Sequence, residues 1–136
     1  MFGGGGEIMI KKSNNYYPTY WSGCNPIHPV KDWDYVDKLV KDSISGSKIT
    51  PILIDGRLHN GNLLAGTHRS AANDVMLEDL NDNDHLIPCV YLDDIQYNNI
   101  DLYNRLINAC NSDDYSEIDY IWDKSGSGWE YYYGKK

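Results

Sequence analysis

The chain has 136 residues, with 12 Lys plus Arg against 20 Asp plus Glu, a formal net charge of −8 and a sequence pI near 4.7. That length suits one domain with its own core. No run approaches the roughly 20 apolar residues of a membrane helix, and Met1–Glu7 lacks the charged start and apolar stretch of a signal peptide, so a cytoplasmic protein with no membrane partner is expected. The acidity argues against general nucleic-acid binding, which needs clustered Lys and Arg. Three scattered cysteines (Cys24, Cys89, Cys110) form no C-x-x-C, and His28, His59, His68 and His85 form no paired motif, so spacing supplies neither a disulfide framework nor a metal site.

In chain order, Gly3–Gly6 is a glycine-rich lead and Glu7–Ile10 predicts a short first strand. Lys11 to Pro29, rich in Asn, Pro, Ser and Gly, predicts loop. Trp33, Val36, Val40 and Ile44 then recur every three to four residues, with Leu39 widening the stripe, which predicts a helix. Asp32 or Asp34 is placed to cap its start, and Gly46 stands where it should stop. The β-branched run Ile49–Ile54 predicts a strand with Pro51 near its start. Turn residues from Asp55-Gly56 to Asn60-Gly61 lead into a second strand, Asn62–Ala65. A helix is expected from His68 to about Asp79, carrying Ala71, Ala72, Val75, Met76 and Leu80. An acidic turn at Asn81–Asp84 and a strand at Leu86–Leu92 follow. Ile100, Tyr103, Leu106, Ile107 and Cys110 mark a helix from about Asn99 to Ala109, and a final short helix is expected near Asp114–Trp122. The tail holds Trp129 and Tyr131–Tyr133, part of a lopsided aromatic set of 12 Tyr and 4 Trp against 1 Phe, a choice that favours half-buried rings with polar edges.

The segment with chemical content is Asn62-Leu-Leu-Ala-Gly-Thr-His-Arg-Ser-Ala-Ala72: strand, glycine turn, helix start. The first turn of a helix has amides without internal partners and a partial positive charge. A glycine ahead of it lets an anion approach the backbone. Thr67 adds a hydroxyl, His68 a titratable ring and Arg69 a rigid fork of donors matched to phosphate oxygens. Gly66, Thr67, His68 and Arg69 are therefore candidate phosphate contacts. The same residues also suit a plain turn with Arg69 in a surface ion pair.

Four blocks in order give this chain a resemblance. Asn25-Pro-Ile-His-Pro-Val-Lys31 with the helix behind it is similar to the opening N-P-x-x-P-R block of the ParB amino-terminal domain. Thr50-Pro-Ile-Leu-Ile54 resembles its P-I-x-V strand. Leu64-Ala-Gly-Thr-His-Arg-Ser-Ala-Ala72 resembles the G-E-R-R-x-x-A box of ParB and the G-C-H-R-x-x-A box of sulfiredoxin, and Ile87-Pro-Cys-Val-Tyr91 the V-P-V strand that comes after it. The resemblance covers residues 25–94, flanked by a lead at 1–24 and helices with an aromatic tail at 95–136. It implies an α/β (α+β) fold, a small mixed sheet packed with helices. It also implies a nucleotide (CTP, ATP or ADP) held by its phosphates at Gly66–Ser70. Lys38 or Lys41 would reach in from the first helix, and Lys31 would stand for the opening arginine.

Departures from the family pattern narrow these implications. Thr67 stands where sulfiredoxin has its nucleophilic cysteine, and a hydroxyl cannot supply a low-pKa thiolate. Thr67-His68 replaces the Glu-Arg of ParB, and no helix-turn-helix domain is expected after Asp94. Asp32, Asp34 and Asp55 are expected to flank the pocket. Asp34, Asp55 and His68 are the catalytic candidates, as a base or as a holder of Mg²⁺ through water. Asp32 and Asp34 are explained equally by helix capping, Asp55 by the turn, and His28 and His68 as ordinary loop or surface histidines. The leading expectation is a nucleotide-binding protein with hydrolysis or phosphoryl transfer open to it. A metal-dependent ParB-like nuclease and a non-enzymatic module that binds a host protein are the alternatives. An Asn-, Asp- and Tyr-rich composition suits an AT-rich source such as a phage.

Overall fold

The computed structural model describes residues 12–13, 15–18, 25–56 and 61–135. The strand expected at Glu7–Ile10, together with Cys24, His59 and Asn60, lies outside the described residues. The remainder is a mixed α/β structure with a four-stranded sheet between two layers of helices.

The first described element is a two-residue strand, β1 (Asn25–Pro26), within the stretch expected to be loop. Helix α1 (Trp33–Ile44) begins at Asp32, whose side chain accepts a hydrogen bond from the Tyr35 amide at 3.0 Å. Its stripe of Trp33, Val36, Leu39 and Val40 is buried. Just beyond its end Gly46 takes a φ of 93°, a left-handed value that favours glycine. β2 (Ile52–Ile54) pairs antiparallel with β3 (Asn62–Ala65), and parallel with β4 (Cys89–Tyr91) on its other side. β1 pairs parallel with β3, giving the order β1-β3-β2-β4.

Alternation along β2 divides the core, as expected for a strand covered on both faces. Ile52 and Ile54 face α1 and helix α2 (Thr67–Asp74), meeting Val36, Val40, Ala71 and Ala72. Leu53 faces the opposite layer: α3 (Leu92–Asn98), α4 (Ile100–Asn111) and α5 (Tyr115–Asp119). Both α2 and α5 continue into π-helical turns, Val75–Asp79 and Tyr120–Lys124. The chain closes with α6 (Ser127–Tyr133).

Three expectations change at their edges. The strand expected over Leu86–Leu92 is shorter, because Leu92 opens α3 with Asp93 and Asp94 in its first turn, where carboxylates suit the helix dipole. The strand expected from Ile49 begins only at Ile52. The tail is helical, with Trp122 fully buried beneath it. Among the described residues no helix is long and apolar enough to cross a membrane.

Candidate functional site

The turn from β3 into α2 is built around Gly66. Its φ of 106° is left-handed, and a Cβ there would lie 2.9 Å from Arg69 Nε, so a glycine both makes the turn and lets the Arg69 side chain lie across it. No side chain caps α2, and no acidic residue occupies its first turn. The amide of Ser70 is the first to bond back into the helix, donating to the Gly66 carbonyl at 2.8 Å. The helix end is positive, and no acidic residue of its own first turn offsets it.

A cavity of about 400 Å³ opens in front of this turn, within the size range of small-molecule sites. Gly66, His68 and Arg69 form its floor. Lys48, Ile49 and Thr50, from the segment leading into β2, form one wall. Tyr35, Asp123 and Trp129 complete it. Residues distant in sequence meet here because three successive carbonyls collect side chains from elsewhere. Tyr133 Oη donates to Ile49 O at 2.8 Å, Arg69 Nη1 to Thr50 O at 3.1 Å, and Trp122 Nε1 to Pro51 O at 2.7 Å. The C-terminal helices are thereby fastened against the mouth of the glycine turn.

Arg69 is buried and forms a two-point ion pair with Asp123. Nη1 lies 2.9 Å from Oδ1, and Nη2 donates to Oδ2 at 3.0 Å. Burial pushes the Asp123 carboxyl above its ordinary range. Arg69 pulls it back down, and a hydrogen bond and like charge from Asp119 push it further up. His68 accepts hydrogen bonds at Nε2 from the amides of Lys31 and Asp32, both at 3.1 Å. That role requires a neutral ring with its proton on Nδ1. Burial, followed by the neighbouring His28, holds its pKa below the ordinary value, although Asp32 opposes this. The rings of His28 and Tyr35 lie 6.0 and 5.8 Å from it.

The structure brings together only part of the expected set. Gly66, His68 and Arg69 line the cavity. Thr67 and Ser70 are buried, at 4 % and 0 % exposure, and are not among its lining residues. Lys38 lies on the exposed side of α1, paired with Asp42 at 2.6 Å, and Lys41 is paired with Asp37 at 3.2 Å. Neither lines the cavity; the lysine that does is Lys48. Asp34 is exposed in the first turn of α1. Asp55 is buried at the far end of β2, five extended residues or roughly 16 Å along the chain from Thr50. Neither carboxylate lines the cavity, whereas Asp123 does. Among the described residues no group of three or more His, Cys, Asp and Glu side chains is placed to hold a metal ion. With Asp123 committed to Arg69, no protein ligands are assigned here to Mg²⁺.

Lys48 and Asp123 had no signal in the sequence, because each acquires its place from packing contacts made elsewhere; Trp129 belongs to the tail aromatics, which the sequence offered either for stacking on a base or for packing onto the domain. No protein-family model matches the chain, and no curated protein or solved structure is significantly similar to it.

Proposed function

We propose that this protein binds a nucleoside di- or triphosphate in the cavity before α2. The phosphates meet the first-turn amides, Lys48 and Arg69, and the base lies against Trp129 or Tyr35. The observation that carries the reading is the pairing of an uncapped, acid-free helix start with Lys48 and Arg69 around one cavity of about 400 Å³. Backbone amides and a positive helix end favour anions, arginine and lysine add charge-assisted bonds, and an aromatic wall suits a flat base. The order strand, helix, strand, strand–glycine–helix, strand over residues 25–94 supports a ParB- and sulfiredoxin-like reading of the fold, and with it the same ligand class. Asp34 and Asp55 do not line this cavity, so the proposal is for binding; turnover is a separate measurement made in the same experiment.

Calorimetry with CTP, ATP, GTP and ADP, with and without Mg²⁺, tests it. Saturable binding of at least one nucleotide is expected. Lys48 is exposed, its ammonium 5.4 Å from the Tyr133 ring, so Lys48→Ala should leave the fold intact and weaken that binding about tenfold, the worth of one charge-assisted hydrogen bond. Absence of heat with all four nucleotides, or full affinity in Lys48→Ala, refutes the reading. Phosphate release assayed on the same samples reports hydrolysis.

A further inference from the structure

We propose that Asp123 determines which anions the site accepts: a ligand reaches the Arg69 fork only by replacing the Asp123 carboxylate, and this selects a terminal, dianionic phosphate over a phosphodiester. The inference rests on the nucleotide-binding reading above and deepens it.

The guanidinium that would grip a phosphate already has its two terminal nitrogens engaged. Nη1 donates to Thr50 O and lies within ion-pair distance of Asp123 Oδ1, and Nη2 donates to Asp123 Oδ2. The Arg69 side chain is 7 % exposed and that of Asp123 29 %, so Asp123 is the more exposed half of the pair, although its Oδ1 is buried. An anion entering the cavity therefore competes with Asp123 for Arg69.

The exchange has different outcomes for different anions. A carboxylate and a phosphodiester each carry one negative charge and two free oxygens, so swapping one for the other on a planar fork gains nothing. A terminal phosphate carries a charge of about −1.5 to −2 and three acceptor oxygens. Two of these replace the Asp123 oxygens, and the third is available to Lys48 or to the first-turn amides of α2. The displaced carboxylate stays next to Asp119, which itself has Lys124 at 3.6 Å. Lys48, His68 and Tyr35 are the other polar groups around the same cavity. The internal competitor thus lowers affinity for every anion but lowers it least for terminal phosphates. This argues for free nucleotides, and against the backbone of a nucleic-acid chain, as the ligand class.

The test is calorimetry at fixed salt and pH with inorganic pyrophosphate, ADP and CDP, set against cyclic AMP and cyclic CMP, whose single phosphate is a diester. The wild type should bind pyrophosphate and at least one diphosphate, and the matching cyclic nucleotide at least about tenfold more weakly. Asp123→Asn should bind the diphosphate about tenfold more tightly, and its preference over the cyclic nucleotide should collapse toward unity. A general gain from removing a negative charge would raise both ligands alike, so an unchanged preference in Asp123→Asn overturns the proposal. So does a wild type that binds cyclic and diphosphate forms equally. Failure of every nucleotide in both proteins overturns the binding reading itself. If Asp123→Asn does not fold, the carboxyl ¹³C resonance of Asp123 in the wild type decides. It should move on saturation with pyrophosphate, and a bound state that leaves it unmoved refutes the exchange.

Discussion

His68 ties the cavity floor to the loop before α1, and its removal has a size and a pH dependence set by geometry. His68→Ala deletes the acceptor for two backbone amides, those of Lys31 and Asp32. Each such bond is worth about 0.5–1.5 kcal/mol net. Both amides lie near the surface and can turn to water, so the lower half of that range applies and the total is about 1–2 kcal/mol. In a chain of this size that is a fall in Tm of about 3–8 °C. The pH dependence is the sharper test. In the folded protein His68 has a pKa below its ordinary 6.5, so the unfolded chain takes up its proton first. Stability from His68 is therefore complete above about pH 6.5 and is lost as pH falls toward the depressed folded value. Urea unfolding of wild type and His68→Ala at pH 7.5, 6.5, 6.0, 5.5 and 5.0 reads this as a difference, in which the other titrating groups largely cancel. The gap should be widest at pH 7.5 and should narrow steadily with acid. A gap that is constant or that widens refutes the assignment of Nε2 as a neutral acceptor. Nitrogen NMR of the ring at pH 7.5 should show the proton on Nδ1.

Three further substitutions test the framework around the site. Gly128→Ala would place a Cβ 2.5–2.7 Å from the indole of Trp122, which is fully buried; the overpacking should cost about 1–3 kcal/mol in urea unfolding despite the better helix propensity of alanine. Asn73 is fully buried, accepts from the Ile87 amide at 2.8 Å and donates to the Ile87 carbonyl at 3.0 Å. Asn73→Ala should therefore cost about 2–4 kcal/mol by leaving two buried backbone groups unpaired, with faster hydrogen exchange at Ile87 as the local readout. Gly66→Ala forces a Cβ into a left-handed turn and against Arg69 Nε at 2.9 Å. It should cost about 1–2 kcal/mol and weaken nucleotide binding at the same time, whereas the same substitution at Gly46, where a Cβ meets nothing within 4 Å, should cost similar stability and leave binding unchanged.

Local pattern carried α1 and the glycine turn. The stripe from Trp33 to Val40 is amphipathic at helical spacing, and Asp32 has the side chain a helix start needs, so neighbours in sequence suffice to define that element. β3 likewise runs from Asn62 to Ala65 as the pattern indicates. Local pattern was misleading at Leu92, read as the end of a strand, which instead opens α3 with Asp93 and Asp94 in its first turn, where acidic residues are favoured. The resemblance implied Lys38 as a phosphate contact reaching in from α1, yet an acidic residue four positions along takes its ammonium.

The sequence by itself determined the positive turn. Glycine, an uncapped helix start and Arg69 lie within four residues, and their geometry is set by backbone sterics and helix termini, which are local physics. Only the tertiary structure decided what faces that turn. Lys48 and Trp129 arrive because the carbonyls of Ile49, Thr50 and Pro51 receive Tyr133, Arg69 and Trp122, and Asp123 arrives on the turn that succeeds α5. These contacts join residues more than fifty positions apart in the pairs Arg69–Asp123, Pro51–Trp122 and Ile49–Tyr133. They are chosen by burial and hydrogen-bond satisfaction across the whole core, which no window of the chain contains. The surplus of acidic residues thus acquires a specific member: from a set of 20 Asp and Glu, the fold places Asp123 against the cation of the site.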